Sequence, residues 1–214
     1  MDLSFLSVLL PMLFEGLKVT LLIAVVGIAI GTVIGSLCGY ALQAKNPVTK
    51  GIANVYIWII RATPLMVQAL YGYFVIPKIL GVDLKSTTVG IAVIALNSGA
   101  FISEIVKGAL LGIDPGQKEA AKSLGMTGAQ TLIHVIIPPA FKIALPALFN
   151  QFIISVKDTA LLSVIAVNEI THMGQNYAAL SFKMIPTYTT IAAFYLVLLS
   201  ILIIIQKQVE RKMR

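Results

Sequence analysis

Charge is scarce in this chain. Charged residues fill 12% of its 214 positions, against about 25% in ordinary soluble domains. A free-standing soluble domain is thereby excluded. Cysteine is nearly absent. Cys38 alone rules out an internal disulfide and behaves as a small apolar residue. Histidine is scarce too, and His134 and His172 read as ordinary loop residues, so no metal site is expected. Acidic residues are the minority, nine against 16 basic, for a net charge of +7. In a soluble chain that excess would suggest nucleic acid. In so apolar a chain it fits basic cytoplasmic loops instead, and no nucleic-acid partner is expected. Internal repeats and low-complexity segments are missing too. The N-terminus has no basic n-region with an A-x-A-like site behind it, so no cleaved signal peptide is expected.

What is present is apolar length. The chain is 58% hydrophobic with mean hydropathy +0.93, the composition of an all-α integral membrane protein. Five apolar blocks stand out: Val19–Leu42, Ile52–Leu80, Thr87–Ile113, Phe141–Ile170 and Tyr188–Ile205. Met1–Phe14 is short and reads as an interfacial helix, with a sixth span as the alternative. Basic residues gather in the first loop (Lys45, Lys50), the third loop and the tail (Lys207, Arg211, Lys212, Arg214). Those segments should be cytoplasmic. The N-terminus, with Asp2 and Glu15, is then outside and the C-terminus inside, which five spans satisfy. Gly27, Gly31, Gly35 and Gly39 recur every fourth residue in the first span. Such a row lets a second helix approach closely in lipid.

The third loop is polar and locally punctuated. Asp114-Pro115 is an N-cap followed by proline at the first helical position. Gly125 suits a C-terminal cap. About ten helical residues fit between them, roughly 15 Å. Thr127-Gly128-Ala129-Gln130 then reads as a capping box that opens the next helix. Ala120, Ala121 and Leu124 form a small apolar face, beside the charges of Lys118, Glu119 and Lys122. A capped helix in a loop is a handle for a soluble partner.

Charges inside the spans cost about 3 kcal/mol each on insertion scales and need a reason. Asn97, Phe101 and Glu104 share one face of the third span at i, i+4 and i+7, with Ser98 beside them. Lys157, Asp158 and Thr159 interrupt the fourth block, and with Pro146 they argue against a continuous helix there. Broken helices free backbone groups for charged ligands. Glu104 and Asp158 suit an ammonium, whereas Lys157, Thr159, Asn97 and Ser98 suit a carboxylate. Two carboxylates also point to a cationic side chain as one option. Against this, Glu104 and Lys107 stand at i, i+3 and can simply pair with each other. Arg61 reads as structural, satisfying carbonyls freed by Pro64. The chain has no G-x-x-x-x-G-K-[ST] loop, so it does not hydrolyse ATP itself.

Several motifs carry a family resemblance. Glu119-Ala120-Ala121, three residues, Gly125, nine residues, then Val135-Ile136-Ile137-Pro138 is similar to the EAA loop of ABC importer membrane subunits. Arg61-Ala62-Thr63-Pro64-Leu65-Met66-Val67-Gln68, Ser103-Glu104-Ile105-Val106-Lys107-Gly108-Ala109 and Lys157-Asp158-Thr159-Ala160-Leu161-Leu162-Ser163 resemble segments of the histidine/glutamine/arginine-type permeases. Ala62 stands where that family usually has glycine.

The resemblance implies a type I ABC importer transmembrane domain over residues 1–214, with the coupling loop at about 114–138. It lies in the bacterial cytoplasmic (inner) membrane. Asp114, Gln117, Glu119, Ala120, Ala121, Leu124 and Gly125 are then the residues that couple to an ATPase. Asn97, Ser98, Phe101, Glu104, Lys157, Asp158, Thr159 and Leu161 are the substrate candidates. Implied partners are two ATPase subunits holding ATP and magnesium, a second permease (a copy or a relative), an extracytoplasmic solute-binding protein and membrane lipid. No cofactor is expected in this chain. The cargo is a polar amino acid, a basic one included, with glutamine or an opine as alternatives. A secondary transporter or channel acting alone is the competing class.

Overall fold

The computed structural model describes residues 4–44 and 46–213. Asp2, Lys45 and Arg214, used above in the orientation argument, lie outside them, as does the start of Met1–Phe14. Helix α1 runs without interruption over Leu6–Ala41. The stretch expected as a separate interfacial helix is, from Leu6 on, the first two turns of this element. At 1.5 Å per residue its 36 residues span about 54 Å, well beyond a ~30 Å hydrocarbon core. Pro11 sits early enough in the helix to interrupt a single backbone bond.

Helix α2 (Pro47–Ala62) opens on an Asn46 cap, whose side chain accepts from the Val48 N–H at 2.9 Å. The block expected as one second span is broken after it. The chain turns by 103° between α2 and the segment Leu65–Leu80. That segment comprises α3 (Leu65–Leu70), a π turn (Tyr71–Val75) and α4 (Ile76–Leu80). The cause is local. Pro64 excludes the helical conformation at Thr63, which is extended at φ −116°, ψ 138°.

Helix α5 (Ser86–Leu111) is the most enclosed element, and it lies along α1. The glycine row makes that possible. A Cβ at Gly35 would stand 2.7 Å from the Gly99 carbonyl oxygen, and one at Gly39 2.7 Å from that of Ser103. Two helices this close gain dispersion contacts that lipid tails cannot match.

Helix α6 (Pro115–Ser123) is the loop helix, nine residues rather than ten. After it come a single turn, α7 (Gly128–Gln130), a π turn (Thr131–Ile136) and α8 (Ile137–Asp158). Each π turn ends two residues before a proline, Pro77 or Pro138. Neither proline has an N–H to give the preceding turn, and its ring crowds the carbonyl four residues back. Pro146 does not break α8, contrary to expectation. The change comes at Lys157–Thr159, where the α-helix tightens into a 3-10 segment, Thr159–Ile165. Helix α9 (Ile170–Ser181) follows, and α10 (Met184–Met213) completes the chain.

Among the described residues, four helices are long and apolar enough to span a membrane, and the bent α2–α4 pair, counted as one span, makes a fifth. The main core cluster joins Ile23 of α1, Leu65 and Ala69 of α3, Val89, Val93 and Ile94 of α5, and Leu162, Ile165 and Val167 around the 3-10 segment. It fixes the corner at Pro64 and the end of α8 against the α1–α5 pair.

Candidate functional site

The corner at Thr63-Pro64 leaves carbonyls without intrahelical partners. Gln68 takes them. Its Nε2 donates to the Ile60 carbonyl at 2.8 Å, the Thr63 carbonyl at 3.1 Å and Thr63 Oγ1 at 2.9 Å. Thr63 Oγ1 in turn donates to the Ile59 carbonyl at 2.8 Å. Arg61, expected in that role, is released from it. Its guanidinium lies over the Phe101 ring, 5.5 Å from the centroid, a favourable cation–π placement.

A cavity of about 270 Å³ opens at this corner. Its walls are Ile60, Arg61, Thr63 and Leu65 from the bend, Asn97 and Phe101 from α5, and Gln151, Ile154 and Asp158 from α8. The volume falls near the low end of small-molecule pockets, ~300 Å³, which suits one small solute. Its chemistry is a guanidinium, a carboxyl, two amides and a hydroxyl on apolar walls. Arg61 and Asp158 do not pair, since the ion pairs among the described residues are Lys18–Glu15 and Lys107–Glu104. Gln151 is 5% exposed, and its Nε2 has no hydrogen-bond partner among the described residues.

Of the eight substrate candidates, the structure brings Asn97, Phe101 and Asp158 together in this cavity. Ser98 turns the other way. It packs on Gly31 of α1, and its hydroxyl donates to the Ala95 carbonyl at 3.3 Å. Thr159 is fully buried and donates to the Val156 carbonyl at 2.8 Å. Lys157, near the end of α8, and Leu161, in the 3-10 segment, are exposed and do not line the cavity. Glu104 forms a 3.4 Å ion pair with Lys107 outside the cavity. Arg61, Thr63 and Gln151 are the polar wall residues that sequence reading missed, with Ile60, Leu65 and Ile154 as the apolar ones. Gln151 lies seven residues before Asp158, about two helical turns, and so shares its face.

The loop helix is built as its residues predict. Asp114 Oδ1 accepts from the Gly116 N–H at 2.8 Å. At the other end Met126 N–H donates to the Ala121 carbonyl at 3.1 Å and Gly125 N–H to the Lys122 carbonyl at 2.9 Å, the paired bonds of a Schellman cap. Gly125 takes φ +74°, which a side chain would disfavour. Thr127 and Gln130 form the capping box, with bonds of 2.9 and 3.3 Å. The expected apolar face is divided. Ala121 is 3% exposed and packs inward, whereas Ala120, Glu119 and Leu124 face solvent, Leu124 at 81%. Asp114 and Gln117 are exposed as well. Helix α6 packs against the π turn Thr131–Ile136, and that turn leads directly into α8. The turn that α6 packs on and Asp158 therefore lie toward opposite ends of one continuous helical segment, Gly128–Ile165. Its α8 portion alone is about 33 Å long, from 22 residues.

Residues 31–214 match the family described as binding-protein-dependent transport system inner membrane component. The chain is 41% identical over 207 residues to the glutamine transport system permease protein GlnP of Escherichia coli, covering 96% of this chain and 94% of that one. It is 34% identical over 208 residues to the arginine transport system permease protein ArtQ of Bacillus subtilis, with the same coverage, 96% and 94%. A chain of an amino acid ABC transporter crystallised with histidines superposes with TM-score 0.89 at 34% identity, covering 99% of this chain and all of that one. An inward-facing methionine ABC transporter, MetNI, shares the fold with TM-score 0.77 at 19% identity.

Proposed function

The chain belongs to the binding-protein-dependent transport system inner membrane components, and from that membership we propose that it is the permease subunit of an ATP-driven importer of polar amino acids. Residues 1–214 act as one transmembrane domain, with the N-terminus outside and the C-terminus in the cytoplasm. Two such subunits, copies or relatives, form the pathway. An extracytoplasmic binding protein delivers the cargo, and two ATPases, which hold ATP and magnesium, dock on the cytoplasmic loops. The solvent-facing Glu119, Ala120 and Leu124 of α6 supply the docking surface.

One observation carries the substrate reading: Arg61 and Asp158 line one cavity without pairing with each other. A free amino acid brings one carboxylate and one ammonium, and it satisfies both. The amides of Asn97 and Gln151 then remain for the side chain. With Glu104 paired to Lys107, no second carboxyl is left for a cationic side chain, so a neutral hydrogen-bonding one fits best. The named glutamine relative supports this choice over a basic amino acid.

Transport requires the two conformations of the permease to differ in their affinity for ATP-loaded ATPases. ATPase closure displaces α6. The π turn and α8 carry that displacement to the cavity wall at Asp158. Uptake by proteoliposomes holding the permease, its ATPase and its binding protein tests the proposal. ATP-dependent accumulation of glutamine, with weaker accumulation of arginine, is expected. Uptake independent of ATP would refute it.

A further inference from the structure

Glu169 is the one charged side chain that is fully buried among the described residues. It lies between the spans Gly128–Ile165 and Met184–Lys212, outside both. No Lys or Arg pairs with it among the described residues. Its Oε1 accepts from the His172 N–H at 2.6 Å. Its Oε2 accepts from the Thr171 N–H at 2.8 Å and from the Tyr195 hydroxyl of α10 at 3.1 Å. The next residue, Ile170, donates its N–H to Thr20 Oγ1 of α1 at 3.4 Å. Gly16 of α1 admits that backbone so closely that a Cβ there would stand 2.8 Å from the Ile170 Cα. Four elements meet at this point: the 3-10 segment, α9, α10 and α1.

Capping alone does not account for the residue. Serine or threonine would cap α9 without burying an ionisable group, and a buried carboxyl is costly. The chain just before it is strained. Seven residues of 3-10 helix is long for that form, and Ala166 closes it at φ +56°, a conformation that side chains disfavour. Asp158, at the other end of the same segment, stands in the cavity wall.

We propose that Glu169 is a positioning residue that ties the far end of the 3-10 segment to α10 and α1, and thereby holds Asp158 in place for the substrate. The inference rests on reading the cavity as the substrate site. Burial pushes the Glu169 carboxyl up to about 7, while the Thr171 and His172 N–H groups and the Tyr195 hydroxyl pull it down. The groups that bond it are neutral: the Tyr195 hydroxyl from α10, and Thr171 and the His172 amide from α9. Nearby Lys18 is exposed and paired with Glu15. The ordinary carboxyl value is 4.5. Since the clamped value lies above it, protonation favours the clamp. Its hold is complete below pH ~4.5 and fades as pH rises through about 7.

The test is equilibrium binding of L-glutamine to the purified permease–ATPase complex at pH about 6 and about 8, either side of that value. For the wild type, Kd should rise across the interval. Glu169→Gln, which cannot ionise, should lose the pH dependence, with a Kd above the wild-type value of the lower pH at both values, because its amide nitrogen cannot accept an N–H bond. Glu169→Ala should weaken binding about three- to tenfold at both values, the worth of a lost hydrogen bond. Tyr195→Phe, which keeps the carboxyl and the ring, should move Kd in the same direction. A wild-type pH profile in Glu169→Gln would overturn the proposal. So would wild-type Kd values in Glu169→Ala and Tyr195→Phe. Asp158→Asn separates the two layers. If it leaves Kd unchanged, the cavity reading fails and this inference with it. If it weakens binding while the Glu169 and Tyr195 variants do not, only this inference fails.

Discussion

Arg61 and Asp158, almost a hundred residues apart in sequence, line the same cavity, yet neither neutralises the other. A guanidinium and a carboxyl held apart on apolar walls are complementary to a zwitterion. The aromatic face of Phe101 keeps the guanidinium in place, 5.5 Å above the ring. This relationship leads to the first prediction.

Arg61→Ala should weaken amino-acid binding by roughly 10- to 100-fold, the range for losing a hydrogen bond to a charged group. Arg61→Lys should recover only part of it, because an ammonium lacks the planar fork that meets a carboxylate bidentately. Isothermal titration of the solubilised complex measures both. Equal affinity in Arg61→Ala and the wild type would remove Arg61 from the site.

Glu104→Gln should leave affinity within about twofold of the wild type, because the pair it breaks is half-exposed and worth at most about 0.5 kcal/mol. The same titration checks it. A large loss would return Glu104 to the substrate site.

Part of this organisation is legible in the sequence. The loop helix is, because Asp114, Pro115, Gly125, Thr127 and Gln130 act within a few residues of themselves, and cap chemistry is local. The packing role of the glycine row is legible for the same reason: its period is that of the helix. The cavity is not. Asn97 and Ser98 are neighbours, but the 100° between successive helical residues sends one to the cavity and the other to α1. The second block reads as a single apolar run although Thr63-Pro64 already holds the cause of its 103° bend. Hydropathy does not register direction. The role of Glu169 does not show in the sequence either, because Tyr195, which bonds it, lies 26 residues further on.

Gly125→Ala should fray the end of α6, since a left-handed residue with a Cβ costs about 1–2 kcal/mol. Asp114→Ala removes the cap at the other end for about 1 kcal/mol. Each should lower substrate-stimulated ATP hydrolysis while leaving membrane insertion intact. Glu119→Lys, or deletion of residues 115–125, should abolish the stimulation. ATPase assays on the reconstituted complex decide this, and undiminished stimulation in the deletion would refute the docking role of α6.

Gly35→Val should destabilise the α1–α5 pair by roughly 1–3 kcal/mol, because the new Cβ meets the Gly99 carbonyl. Gly51→Ala on α2 meets nothing within 4 Å and should be neutral or stabilising by up to about 1 kcal/mol. Thermal unfolding in detergent compares the two. Similar melting temperatures for both variants would contradict close contact between these helices.

The cavity as a zwitterion site is tested most directly by titrating the purified permease–ATPase complex with L-glutamine and L-arginine, for the wild type and Asp158→Asn. The wild type should bind glutamine more tightly than arginine. Asp158→Asn should weaken glutamine binding by roughly 10- to 100-fold through loss of the ammonium's partner. Unchanged glutamine affinity in Asp158→Asn would contradict the account.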